Sequence, residues 1–240
     1  MRRRRWALLA IIALVSACSG NTGPADKPEL PILTAPPEPG VTYVAIIGDS
    51  FTSGSSSGGK GPNGWPSIVT SMLQNQGIKI KPAVGAKSGS GYVRHSTQGS
   101  VPFVNQVGQV VGTKSSLVIL FGSPYDQTVL PRLSEQFTSS VKHTLAEVKK
   151  AAPAAKLLII GPAWVQPNPP TGILQVRDIV RAEAEAAGAA SVDPLAEDWF
   201  VGHPEMVGAN GDSPDNAGHL LMAEKIGPLV VRQLMTVPKP

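Results

Sequence analysis

Ser50 is the residue whose neighbours best equip it for chemistry. An apolar, β-branched run, Val44-Ala45-Ile46-Ile47, ends on Gly48, and the turn Gly48-Asp49-Ser50 then presents the hydroxyl. A serine displayed beyond the carboxyl end of a strand is set up to attack a carbonyl carbon. That chemistry also needs a base to take the serine proton and further donors for the negative oxygen. The candidate bases are four histidines, at 95, 143, 203 and 219. Cys18 is the only cysteine, which excludes an internal disulfide, a CxxC redox pair and a cysteine metal cluster. Nothing in the chain has metal-site spacing, so neither a metal nor a cofactor is expected.

Alternating strands and helices must position these groups. Residues 41–47, 78–84, 117–121, 156–160 and 190–192 read as strands. The runs LVILF and KLLII are continuously apolar, as in a sheet covered on both faces. Residues 65–76, with Pro66 in the first turn, and 102–111, 134–151, 172–187 and 216–234 read as helices, and Gly188 is a C-cap signal. Five strands separated by helices imply an α/β fold: a three-layer α/β/α sandwich around a five-stranded parallel sheet, flavodoxin-like in connection. Its ligand crevice lies beyond the carboxyl ends of the strands, in loops 48–64, 85–100, 122–131, 161–170 and 193–215.

The ends of the chain are built differently. Arg2 to Arg5 form a positive n-region and residues 6–15 a short apolar stretch, closing as Val15-Ser16-Ala17-Cys18. About twelve apolar residues fall short of the roughly 20 that span a bilayer, so an export signal fits better than a membrane anchor helix. Small residues before a cysteine resemble a bacterial lipobox, which implies a signal peptide over 1–17, lipidation of Cys18 and attachment to the outer face of the cell membrane. Ordinary secretion with cleavage after Ala17 would leave a lone free thiol. Residues 18–40, with prolines at 24, 28, 31, 36, 37 and 39, read as an extended tether, and 41–240 as one domain. The chain has 21 Lys+Arg against 17 Asp+Glu, and removing the four signal arginines balances them at 17 of each. The basic pI is therefore a property of the export signal and gives no support to nucleic-acid binding. The protein is expected to be a monomer.

The Gly48-Asp49-Ser50 turn, with Thr52 in place of a second glycine, resembles the first block of the SGNH/GDSL hydrolases, a family of serine esterases and acyl hydrolases. Gly64-Trp65-Pro66, Ala83-Val84-Gly85, Gly89-Ser90-Gly91-Tyr92, Gly161-Pro162-Ala163-Trp164, Asp193-Pro194-Leu195-Ala196-Glu197 and Ala217-Gly218-His219 look like exported actinobacterial members. The resemblance covers about residues 41–236. It implies that Ser50 is the nucleophile and its N–H an oxyanion donor, with a second N–H from Gly89 or Gly91. The alternative role for Ser50 is capping the short helix that follows.

Two blocks depart from the family. Where it carries an oxyanion-hole asparagine before an aspartate, this chain has Tyr125 before Asp126. Where it carries Asp-x-x-His-Pro, this chain has Asn210-Gly211-Asp212-Ser213-Pro214, which puts Ser213 at the base and Asn210 at its carboxylate partner. A serine hydroxyl is no base near neutral pH, and an amide cannot stabilise an imidazolium. A displaced base could come from His95, His203 or His219, whereas His143 lies mid-helix and His219 has a packing role open to it. Asp126, Asp212 and Asp215 read as turn and cap residues. Two functions follow from these residues: a weak or silent hydrolase fold that binds an acyl-ester, lipid or glycan ligand or an envelope partner, or an active esterase using Ser50 with a displaced histidine.

Overall fold

A computed structural model describes residues 38–93 and 101–235; residues 1–37, with Cys18 and most of the tether, lie outside it, as does His95. The expected fold class is the one observed. The elements are β1 (Thr42–Ile47), α1 (Ser50–Ser53), α2 (Trp65–Asn75), β2 (Ile80–Val84), α3 (Phe103–Val110), β3 (Ser115–Phe121), α4 (Ser134–Ala151), β4 (Lys156–Ile160), α5 (Thr171–Ala186), β5 (Ala190–Val192) and α6 (Asn216–Met235). All strand pairs are parallel, in the order β2-β1-β3-β4-β5. That order places its switch point at the ends of β1 and β3, where such sheets bind ligands.

The period-two pattern of the central strands divides the core. Val44, Ile46, Leu117, Ile119, Phe121, Leu158 and Ile160 face a layer made by α2 and α6, with Trp65, Val69, Met222 and Ile226. Ala45, Ile47, Val118, Leu120, Leu157 and Ile159 face α3, α4 and α5, with Phe103, Phe137, Val141, Val176 and Val180. Strands apolar on both faces have only one stable place, between two helical layers.

Element boundaries follow local chemistry. The second strand starts at Ile80, two residues later than its apolar pattern suggests, because α2 ends in a paired cap. Ile78 N–H donates to Leu73 O and Gly77 N–H to Gln74 O, with Gly77 at φ +80°. The cap consumes Ile78 before the strand can begin. The third strand starts at Ser115, earlier than the apolar run, because the pairing of β1 with β3 includes Tyr43 opposite Ser115 before a register shift. Glu38, assigned by sequence to the tether, forms an ion pair with Lys81 on β2, and its N–H donates to the Tyr43 hydroxyl.

Beneath the carboxyl end of the sheet sits an aromatic cluster centred on Phe121. Its ring lies 6.3 Å from Phe51, 6.3 Å from Trp65 and 6.2 Å from Trp199, measured between centroids. Edge and tilted contacts at these distances add to the burial of large apolar surfaces. The turn that carries Ser50 rests on this cluster through its neighbour Phe51. Phe121→Ala is expected to lower unfolding stability by about 3–5 kcal/mol in urea denaturation, as for other fully buried aromatic truncations.

Candidate active site

Two buried side chains hold the turn that carries Ser50. Gly48 N–H donates to Gln106 Oε1 and Gln106 Nε2 donates back to Gly48 O, both at 3.1 Å. The carboxamide of α3 thus takes the place of another strand at the end of β1. Asp49, fully buried, caps α1: its Oδ1 accepts from Phe51 N–H at 2.9 Å and its Oδ2 from Ser123 Oγ at 2.7 Å. Ser50 is therefore not the cap but the first helical residue, and its hydroxyl is free for other contacts.

That hydroxyl lies 3.4 Å from the Tyr125 hydroxyl, where either can donate. Tyr125 sits in the 3₁₀ turn Pro124–Val129 after β3, and its N–H donates to the Ser123 Oγ that Asp49 also holds. Hydrogen bonds therefore link Asp49 to Ser123, Ser123 to Tyr125 and Tyr125 to Ser50 across the ends of β1 and β3, and the Asp49–Ser50 peptide bond closes the circuit. The residue at the family's asparagine position is thus brought onto Ser50.

Asp126 lies in the same 3₁₀ turn, but its carboxylate works outside that turn. It is fully buried and reaches across the crevice, accepting from Tyr92 N–H at 2.8 Å and Val93 N–H at 3.2 Å in the loop after β2. Gly91 makes this approach possible, since a Cβ there would lie 2.5 Å from the carboxylate. Tyr92 anchors the same loop between Phe103 and Phe137, with ring centroids 4.9 and 5.9 Å away. Burial, with the nearby Asp126 charge, raises the pKa of its phenol. The N–H groups of Gly89 and Gly91 donate to no partner among the described residues, so both keep the freedom an oxyanion donor needs.

The last loop uses its polar residues differently from a triad. Ser213 is buried and its Oγ donates to Asp212 Oδ1 at 2.8 Å. Asn210 Oδ1 accepts from Ser57 Oγ at 2.8 Å, tying this loop to the serine- and glycine-rich segment after α1. Asp215 Oδ1 accepts from Gly218 N–H and so caps α6. His219 is fully buried in the first turn of α6. Its Nδ1 accepts from Trp65 N–H at 3.4 Å, and Nε2 meets no partner where the ring packs on Gly59. His203 lies half-buried just before the 3₁₀ turn Pro204–Met206, with its Nδ1 3.1 Å from Glu205 Oε1. His143 is exposed on α4. Among the described residues no histidine hydrogen-bonds to Ser50, and no group of three His, Cys, Asp or Glu side chains is placed to hold a metal ion.

The crevice beside Ser50 is a cavity of about 170 Å³ lined by Phe51, Val165 and Trp164, with Tyr125, Gln127, Gln166 and Asp212 among its polar groups. Gln166 Nε2 donates to Gly211 O and so joins two of the loops that form it.

Sequence reasoning missed Asp49, Ser123 and Gln106. Gln106 did leave a signal, since it sits one turn from Phe103 and beside Val107 on the apolar stripe of its helix.

Asp49 and His219 ionise in opposite senses. Burial pushes the Asp49 carboxyl up from its ordinary 3.8 to about 7; bonds from Ser123 and Phe51 oppose this and the Asp126 charge adds to it. Burial pushes His219 down from 6.5 to about 4, against the pull of Asp215. Between pH 4 and 6.5 the folded state keeps a proton on Asp49 that the unfolded chain releases, so this group's contribution falls as pH rises. His219 is neutral when folded and protonated when unfolded over the same range, so its contribution rises with pH. In Asp49→Asn the unfolding free energy should climb with pH between 5 and 6 by about 1 kcal/mol per unit relative to the wild type; in His219→Asn it should fall by a similar amount. Urea denaturation across that range measures both slopes.

The family model described as the GDSL-like lipase/acylhydrolase family matches residues 46–220. The chain is 39% identical over 192 residues to the GDSL lipase Rv0518 of Mycobacterium tuberculosis, covering 80% of this chain and 83% of that protein. Among solved structures, it resembles the lipase/acylhydrolase from Enterococcus faecalis, with a TM-score of 0.63 at 18% identity over 83% of this chain and 99% of that one. The psychrotrophic esterase EstA from Pseudoalteromonas sp. gives a TM-score of 0.63 at 12% identity over 81% and 100%. At such identities these two likenesses are of fold. The chain belongs to the GDSL-like lipase/acylhydrolase family.

Proposed function

We propose that this family member is an exported lipoprotein of serine acyl-esterase ancestry whose hydrolytic activity is weak or absent, and whose crevice binds an acyl or glycan ligand or an envelope partner. The observation that carries the reading is the environment of the Ser50 hydroxyl. Its hydrogen-bond partner is a phenol, and the position that the family gives to the base holds Ser213, whose proton is directed at Asp212. A serine without a base retains only what its oxyanion donors and binding surface supply, a loss of about 10⁶ in kcat in a comparable enzyme. The apolar floor of the crevice, Phe51 and Val165 beside Trp164, supports a role in binding that outlasts turnover.

The intact turn at Ser50 and the uncommitted loop glycines favour a second reading, an active esterase with a displaced base. The two separate in one assay. Hydrolysis of p-nitrophenyl acetate, butyrate and octanoate by the purified protein and by Ser50→Ala should run at equal, background rates. Activity lost in Ser50→Ala would install the second reading. Restoring the family residues together, as Tyr125→Asn, Asn210→Asp and Ser213→His, should raise the Ser50-dependent rate by about 10² or more.

Attachment at Cys18 to the outer face of the membrane is supported by the arginine-led apolar segment and the Val15-Ser16-Ala17-Cys18 sequence. Radiolabelled palmitate fed to the producing bacterium should label the protein, and Cys18→Ser should lose the label and release the protein from the membrane fraction.

A further inference from the structure

The charges of the folded part are unevenly spread along the strand axis. Lys79, Lys81, Lys114 and Lys156 lie at the starts of β2, β3 and β4, and Lys149, Lys150 and Arg232 in the last turns of α4 and α6, so all of them gather at the amino end of the sheet. Against them stand Glu38 and Glu147, paired with Lys81 and Lys150, and Glu185; Glu183 is offset by Lys142. The loop 193–215 at the carboxyl end carries Asp193, Glu197, Asp198, Glu205, Asp212 and Asp215 and neither lysine nor arginine. Part of the basic cluster serves the fold: Lys149 donates to Ala187 O and Lys156 to Gln233 O, answering carbonyls left open at the ends of α5 and α6. Lys79, Lys114 and Arg232 make no ion pair or side-chain hydrogen bond among the described residues.

Between these side chains the amino end is hollowed into two adjoining grooves of about 500 and 400 Å³ that share Lys156 and Gln233. The larger presents the hydroxyls of Thr113 and Ser116 beside Lys114, and is lined as well by Met235, which is 71% exposed. Ammonium groups and hydroxyls are donors that suit phosphate oxygens, and an apolar side chain beside them suits the acyl boundary below a headgroup layer. The chain that leads to β1 arrives at this same face. Glu38 is fastened here by the Tyr43 hydroxyl and Lys81, and Thr42 lines the larger groove. Glu38 follows Cys18 by 20 residues, a reach of at most about 70 Å and about 25 Å for a flexible coil. Such a leash delivers the amino end to the bilayer, where attraction takes hold within a Debye length of about 10 Å.

We propose that the amino end of the sheet is a docking face for an anionic phospholipid surface, with Lys79, Lys114 and Arg232 as its contacts and the crevice directed away from the membrane. The inference rests on the attachment at Cys18 proposed above. A lipid on a leash leaves the domain free to tumble, whereas cations on one face fix which end meets the bilayer. The face orients a protein that the lipid retains; three exposed cations are too few to hold it without the anchor.

The test places the full chain, purified from membranes with its lipid, on vesicles of phosphatidylcholine alone or of a roughly two-to-one mixture with phosphatidylglycerol. A fluorophore sits on Gln76→Cys at the amino end or on Val201→Cys at the crevice end, both exposed positions. A nitroxide on the lipid headgroups quenches whichever end touches the surface. On the anionic vesicles the Gln76→Cys probe should be quenched and the Val201→Cys probe should not. The difference should vanish on phosphatidylcholine and in about 0.5 M salt. Lys79→Gln, Lys114→Gln and Arg232→Gln should each lower the ratio of docked to free protein about fivefold, and together about a hundredfold. Lys60→Gln with Lys87→Gln, exposed at the other end, should leave that ratio unchanged. Equal quenching of the two probes, the same result on both lipid mixtures, or an unaltered ratio in the triple variant would overturn the docking face and leave the attachment standing. A chain that carries no lipid and enters neither vesicle would overturn the attachment, and the docking face with it.

Discussion

The carboxyl group of Asp49 is the interaction on which the arrangement above the sheet depends. It is fully buried at the end of the central strand β1, and it joins that strand's turn to the turn after β3 through Ser123. Ser123 in turn accepts from Tyr125 N–H, so one carboxyl fixes the residue before Ser50 and the residue that covers Ser50. A buried acid is costly when charged, so burial raises this carboxyl to about 7, and bonds from Ser123 Oγ and Phe51 N–H, one to each oxygen, hold it in place. Gln106 performs the same service one residue earlier on Gly48. The turn that carries Ser50 is therefore held from below and from both sides, and its geometry does not rely on a histidine.

The architecture was legible in the sequence because its determinants are local. Strands buried on both faces show continuous apolar runs, helices show their stripe, and Gly188 marks the end of α5 by accepting the left-handed conformation. The circuit around Ser50 was not, since its hydrogen bonds across the sheet end join residues 74 and 75 apart in the chain. The Asp126 clamp spans 34 residues and likewise carries no periodic trace. Polar groups at sheet ends satisfy partners that only the finished topology brings near, so type and spacing alone leave them looking like turn residues.

Asn210 and Ser213 in the last crevice loop are both held by hydrogen bonds within the crevice wall. Asn210 binds Ser57 and thereby fastens two crevice loops together, and Ser213 is buried against Asp212. Each is a neutral group making a neutral or singly charge-assisted bond, which is easier to satisfy at a loop surface than a buried carboxylate–imidazole pair. His219, the histidine nearest in sequence, has its ring between the start of α2 and Gly59, where burial keeps it neutral. The polar residues of the loop thus serve as fastenings of the crevice wall.

The polarity of the sheet has a mechanical consequence. The chain enters β1 at Thr42 and leaves it at Ile47, and Ser50 lies just past the far end, about 20 Å along a six-residue strand. β1 is hydrogen-bonded to β2 on one side and β3 on the other. Tension arriving from the amino-terminal side therefore loads β1 along its length, so both ladders resist together in shear and no single bond can be peeled first. Such a load enters at the opposite end of the strand from the mouth of the crevice, so the sheet lies between the two.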